Sequence, residues 1–415
     1  MPTTAPDRQR PTLVIPPSPR LKKQRARRSY KGPRSFTLLL VLLAFLALVH
    51  FLLVLNTPSS TTASTLDTPI DCNGLLRAND YTKSVDLQPG EQMGAIASAN
   101  QLDDGSPAEL AQVLHSDAQH SLDVYLFGCI MHQNRPRLTT LFTQHGLLDG
   151  TVEVSQAHTL ITGTLDTSLS ADTSALLLPS QQYIYREYAW QGSVFQQVVF
   201  PGFYPVTSRA DAEALQQQAD NGQSLPWSDP FATAQAMAQD ILKWPANTSQ
   251  NVLLSNDGTT AQVELVQQNQ PLTVDMTLER LVQQDSKGLW FVVAAHTQGI
   301  TAGLNGQAMT APPQQDTGLS SQPQTLVQSP LTMQGSGALV DGQTSATLFD
   351  HTLTPISSAS NVPLQVNADG TFSASLSYTA PVSGQEGLLL IQSLPQAANA
   401  AIEQGQALVV PVLMG

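Results

Sequence analysis

His115 and His120 flank Asp117 and come nearest in this chain to a set of metal ligands. Their spacing of five around a helix end matches no standard ligand set, so no metal is expected there. Asp103-Asp104-Gly105 puts two carboxylates side by side, and it reads as a turn before a helix in preference to a calcium loop. The motifs that carry catalysis are missing: there is no His-Glu-x-x-His, no Gly-x-Ser-x-Gly, no phosphate loop and no paired Cys-x-x-Cys. No catalytic residue and no cofactor is therefore expected. Two cysteines, Cys72 and Cys129, would bond in an oxidising compartment, the alternative being two buried thiols. The most distinctive wording is YIYREYAW followed by FPGFYPVTSR. There Tyr183, Tyr185, Trp190, Phe203 and Tyr204 would make either a face that stacks on a sugar or peptide, or one side of a hydrophobic core. Arg186-Glu187 and Arg209 read as structural ion pairs.

These residues need elements to position them. Ser106-Pro107-Ala108-Glu109 is a capping box with proline at the first helical position, and it predicts a helix carrying Leu110, Val113 and Leu114. Residues 124–131 read as a buried strand, 151–165 as another, and 183–200 as a hairpin turning at Gln191-Gly192. Ser208, with Asp211 three residues on, starts a helix that Asn221-Gly222 ends; Asp229-Pro230 starts a second that Pro245 stops. At least three strands follow. The clearest is 272–278, where apolar and polar residues alternate, with a partner at 289–295 across the turn at 285–288.

Charge and hydropathy organise the whole chain. Residues 36–55, FTLLLVLLAFLALVHFLLVL, carry no charge and read as a transmembrane helix. Ten of the 19 Lys and Arg precede residue 36 against Asp7 alone, so the tail is +9 and, with −13 overall, the rest is −22. The positive-inside rule then keeps 1–35 in the cytoplasm, along anionic headgroups of the inner leaflet, and puts the bulk of the chain outside the cell membrane. A signal peptide cleaved near the small residues at 61–63 is the rival reading, but signal cores run roughly 7–15 residues. Arg27-Arg28 serves as a basic flank in preference to a twin-arginine signal, and His50 is close enough to the outer end to reach water by snorkelling. Residues 56–69 form a Ser/Thr/Pro stalk.

Charged residues make up only 12% of the chain, and Lys83, Lys243 and Lys287 are the only lysines after the span. That balance argues against nucleic acid and leaves neutral polymers, basic partners and small ligands open. Residues 70–300 hold all four Trp and read as an α+β globular region, an antiparallel sheet with helices. Gly, Gln, Pro, Ser and Thr dominate 301–326, a linker. Short strands return over 327–415, the pattern of an all-β sandwich.

Two resemblances follow from this wording. SPLTMQGSG at 329–337, the Phe349-Asp350 pair in TLFDHTLTP, Gly370-Thr371-Phe372 opening a middle strand, GLLLIQS at 387–393 and the valine-rich LVVPVLMG are similar to the immunoglobulin-like domain of bacterial spore germination proteins. The alanine-rich segment at 396–402 departs from that family's compact turn. A helix followed by a meander ending in ERLVQQDSKGLWFVV resembles the second half of cystatin-like and nuclear-transport-factor-two-like folds over some 70 residues. The first resemblance implies an extracytoplasmic, non-catalytic module. The expected protein is thus a membrane-anchored, non-enzymatic bacterial envelope protein, germination- or sporulation-related, that binds or scaffolds an envelope protein or cell-wall partner. The alternative is an enzyme or small-ligand binder with its site in a pocket of the middle region.

Overall fold

The computed structural model describes residues 71–415 except 100–101, 103–105, 117–119, 134, 247–248, 269–271, 305–306, 310–325, 340–343 and 394–404. The expected tail, span and stalk, with His50 and the cleavage site at 61–63, lie outside the described residues, as do Asp103 and Asp117. The expected class, a transmembrane helix joined to an α+β region, is corrected. The described chain is mostly β-sheet with few and short helices. Among the described residues no helix is long and apolar enough to cross a membrane. A β-rich sandwich does fit.

A first antiparallel meander holds β1 (Glu91–Ser98), β2 (Ala108–His115), β3 (Leu122–His132) and β4 (Arg135–Leu147) in sequence order. The helix read from the capping box is instead β2. Pairing with β1 on one side and β3 on the other overrides the local helical signal, and Ala108, Leu110, Ala111 and Val113 are all buried by it. One face of this sheet is covered by α1 (Cys72–Ala78) and α2 (Tyr81–Val85), where Leu76 and Tyr81 pack on Ala111 and Phe127. A disulfide joins Cys72 of α1 to Cys129 of β3.

The other face meets a second meander of β5 (Thr151–Val154), β6 (Leu160–Leu165), β7 (Tyr183–Trp190) and β8 (Phe195–Val198), with the four-residue α3 (Ala171–Ser174) between β6 and β7. What reads as one strand over 151–165 is the hairpin of β5 and β6. Both longer helices begin where their caps say. In α4 (Arg209–Asp220) the Ser208 hydroxyl accepts from the Asp211 amide, and in α5 (Pro230–Asp240) Asp229 accepts from the Ala232 amide.

After α5 come β9 (Ser249–Asn256), β10 (Thr260–Gln267), β11 (Thr273–Glu279) and β12 (Phe291–His296). The segment read as a linker opens with two more strands, β13 (Thr301–Leu304) and β14 (Gln307–Met309). Then follow β15 (Leu326–Val327), β16 (Leu331–Ser336), β17 (Thr344–Phe349), β18 (Val362–Pro363), β19 (Gln365–Val366), β20 (Thr371–Leu376), β21 (Gln385–Ser393) and β22 (Gln406–Met414). One layer of the C-terminal sandwich is β14-β13-β16-β20-β19. Its other layer continues without a break into the body as β18-β17-β21-β22-β12-β11-β10-β9, with β15 beside β22.

That shared sheet explains the apolar runs. Leu388, Leu390 and Val409 point into a core with Met237 of α5, Ile241 just after it, Val263, Met276 and Trp290. Leu389, Ile391, Leu408 and Val410 point the other way, onto Leu331, Met333 and Phe372 of the sandwich. A strand covered on both faces needs apolar residues at consecutive positions, so GLLLI and LVV read as runs rather than alternations.

Candidate functional site

Among the described residues, the seam between body and sandwich gathers most of the buried ionisable groups, Asp123 of the first meander apart. Glu187 on β7 lies inside because it faces the N-terminus of α4. Its Oε1 accepts hydrogen bonds from Arg209 Nε and, at 2.7 Å, from the Thr159 hydroxyl. Arg209 also lies over the Phe200 ring, 5.3 Å from its centroid. Asp211 is held by Ser208, whose hydroxyl donates to Oδ2 at 2.7 Å. Glu386 enters from the sandwich on β21, with Oε1 3.4 Å from the Phe200 amide. All four side chains are buried, and the single guanidinium among the three carboxylates pairs with Glu187. Burial drives the Glu386 carboxyl well above its ordinary range, Glu187 adds to the rise, and the Phe200 amide and Arg209 only partly oppose it. Asp211 is raised as well, chiefly by burial, against the pull of Ser208, Ser180 and His351.

Beside this cluster the loop after β17 plugs the sandwich into the body. His351 Nε2 lies 3.0 Å from Asp166 Oδ2, both groups buried, and the His351 carbonyl accepts from the Thr207 hydroxyl at 3.1 Å. Burial would raise Asp166, but hydrogen bonds from His351 and Ser168 outweigh it and hold the carboxyl below the usual range. On the same seam Arg186 Nε donates to the Ser383 carbonyl and Gln197 Nε2 to that of Gly384. The expected Arg186, Glu187 and Arg209 pairing thus resolves into one ion pair, Arg209 with Glu187, while Arg186 binds backbone.

Two clefts flank the plug. The larger, about 280 Å3, lies between Tyr204, Trp227, Asp240 and Lys243 of the body and Thr352 and Leu353 of the plug. In it the Tyr204 hydroxyl donates to Asp240 Oδ2 at 2.6 Å. The smaller, about 180 Å3, has Asp166 and Ser168 on one side and Asp350, Thr379 and Gln385 on the other. Gln385 is wholly buried, and neither Nε2 nor Oε1 has a partner among the described residues.

The five aromatics expected on one face do not share one. Tyr183 and Tyr185 are neighbours at 6.1 Å on one side of β7, whereas Trp190 lies on its other side against Phe195. Phe203 and Tyr204 turn inward, Tyr204 through a bridge to Val292, and are buried in the core under α5. His115 forms no metal-binding group with His120, and Asp117 lies outside the described residues. His115 lies across the first meander, 3.2 Å from Asp123 Oδ2, and His145 approaches the same oxygen at 2.8 Å. Burial would raise Asp123, but His145, the Gly146 amide and His115 together hold it low. Among the described residues no group of three or more His, Cys, Asp or Glu is placed to hold a metal ion.

Glu386, Gln385, Asp166 and His351 carry no sequence motif. Two signals were available: Phe349-Asp350, which marks the plug, and the polar Gln385-Glu386 pair that precedes the apolar run GLLLI. No family model, curated protein or solved structure matches this chain.

Proposed function

We propose that this chain is a non-enzymatic, extracytoplasmic protein of a bacterial cell envelope, and that it binds an envelope partner through the outer face of its sandwich. The observation that carries this reading is the chemistry of that face. Thr332, Gln334 and Ser336 of β16 stand opposite Ser375, Ser373 and Thr371 of β20, with Gln365 of β19 beside Ser373, and these positions present hydroxyls and amides with no charge. Such a face suits a neutral cell-wall polymer, whose hydroxyls it can meet without desolvating an ion. The disulfide supports an oxidising location. The wording of residues 327–415, similar to the immunoglobulin-like domain of spore germination proteins, supports an interaction module and a role tied to germination or sporulation.

Co-sedimentation of the purified full chain with isolated cell-wall fragments tests this. Binding is expected, and the double change Gln334→Glu with Ser373→Glu should weaken it at least tenfold while leaving the melting temperature unchanged. Binding that ignores those charges would sink the assignment to this face.

A further inference from the structure

The turn end of the hairpin of β3 and β4 projects past the elements that cover its base. β2 pairs with β3 only as far as Ala108 with Gly128, and among the described residues β4 has no neighbour on its outer side, so beyond that pair the two strands continue as a free ribbon. Its register sets Ile130 opposite Arg137, Met131 opposite Pro136 and His132 opposite Arg135. Residues opposite each other share a face and successive residues alternate, so Ile130, His132, Arg135 and Arg137 stand on one face, with Met131 and Pro136 on the other. The four on the first face are all exposed, Ile130 by 51%. Among the described residues neither guanidinium has an acid or a hydrogen-bond acceptor as partner.

Charge sets this face apart from the rest of the molecule. The chain after residue 35 is −22, yet no Asp or Glu occurs between Asp123 and Asp149, a stretch that contains the whole ribbon. Arg135 and Arg137 thus form a local positive patch that draws an anionic surface while the remainder repels it. A soluble polyanion would meet the two arginines and leave Ile130 in water. An anionic bilayer meets the full set: each guanidinium can take phosphate oxygens by paired hydrogen bonds, its aliphatic stem lies along the interface, and Ile130 enters the boundary between headgroups and acyl chains. The attachment of the chain agrees with this. Cys72, the second described residue, is bonded to Cys129 at the base of the ribbon, so the 70 residues that precede Asp71 join the folded part here. We propose that the ribbon face carrying Ile130, His132, Arg135 and Arg137 docks on an anionic phospholipid surface, with Ile130 inserted and the two arginines on lipid phosphates. This contact is separate from the outer sandwich face and goes beyond the role assigned to it.

Methyl NMR of the full chain labelled at isoleucine δ1, mixed with lipid nanodiscs containing a spin-labelled lipid, tests the proposal. Ile96, on β1 and 47% exposed, is the control for an apolar side chain outside the basic face; Ile130→Leu identifies the Ile130 signal by its loss. In discs rich in phosphatidylglycerol the Ile130 methyl should broaden at least fivefold more than that of Ile96, and in pure phosphatidylcholine discs the excess should vanish. The double change Arg135→Glu with Arg137→Glu should bring Ile130 to the Ile96 level with an unchanged melting temperature, since both side chains are exposed and unpaired. Equal broadening of Ile130 and Ile96, an excess that is the same in neutral discs, or an excess that survives the charge reversal would overturn the proposal. A shift of the Ile130 signal with poly-glutamate and none with lipid would assign the face to an acidic polymer and overturn it equally.

Discussion

At the residue scale, Glu386 makes the sharpest statement about this molecule. Its carboxyl is raised by burial, so the folded chain holds a proton there that the unfolded chain, at an ordinary value near 4.3, releases. A raised carboxyl contributes stability that is present below about pH 4 and is lost as pH climbs toward its folded value. Asp211 acts in the same sense. Asp123 and Asp166, both held low, act in the opposite sense: their contribution is present at neutral pH and disappears as pH falls through their folded values. The melting temperature should therefore peak on the acid side of neutrality and decline from about pH 5 to pH 8. Glu386→Gln, which keeps shape and removes the proton to be lost, should raise the melting temperature at pH 8, leave it nearly unchanged at pH 5 and flatten the decline. Equal slopes for the two proteins in a calorimetric pH series would show that Glu386 does not govern it. Little of this could be read from the sequence. The Ser208 and Asp211 cap was legible because capping is local, and Arg209 was recognisable as an ion-pair former. Glu386 was not, because its burial depends on β7 and α4, about two hundred residues away in the chain.

At the element scale, the elements read correctly are those whose signals are local and those read wrongly are decided by neighbours. The caps of α4 and α5 and the turn at Gln191-Gly192 were legible. β2 was taken for a helix because SPAELAQVL satisfies helical start rules, and only pairing with β1 and β3 reverses that. β13 was hidden by small and polar residues, since just Ala302 and Leu304 reach the core. Among these elements α1 is held unusually: a helix of seven residues, too short to persist alone, is tied to β3 by the Cys72–Cys129 bond across 57 positions. In the chain-entropy account a loop of that size contributes about 4 kcal/mol. Cys72→Ser should lower the urea-unfolding free energy by about that amount, and the denatured, unreduced native protein should present no reactive thiol. Two labelled thiols would remove the bond and the argument for an oxidising compartment with it.

At the scale of the whole molecule, the expected division into body, linker and sandwich meets a sheet that ignores it. β12 pairs with β22 through Ala295 with Val409 and His296 with Leu408, and alternate residues of β21 and β22 serve two cores. A protease site inserted within residues 310–325 should accordingly be cut without separating the halves. The two fragments should co-elute in gel filtration and melt in a single transition; independent elution would restore the picture of two units on a tether. The sequence showed the strands of the sandwich but not this fusion, because a fully apolar run is equally consistent with a strand inside one sandwich and a strand between two cores.

The place of β22 has a temporal side as well. Its residues, 406–414, are the last strand of the chain described, yet they lie in the interior of the nine-stranded sheet, between β21 and β12. On a ribosome the meanders of residues 91–198 can pair as they emerge and Tyr204 can bridge Val292 of β12, whereas the far end of that β12 edge, Ala295-His296, stays open until β22 arrives. The body therefore cannot be completed co-translationally ahead of the sandwich. Both close together, after synthesis of this last strand, and the open β12 edge must be kept from other chains until then.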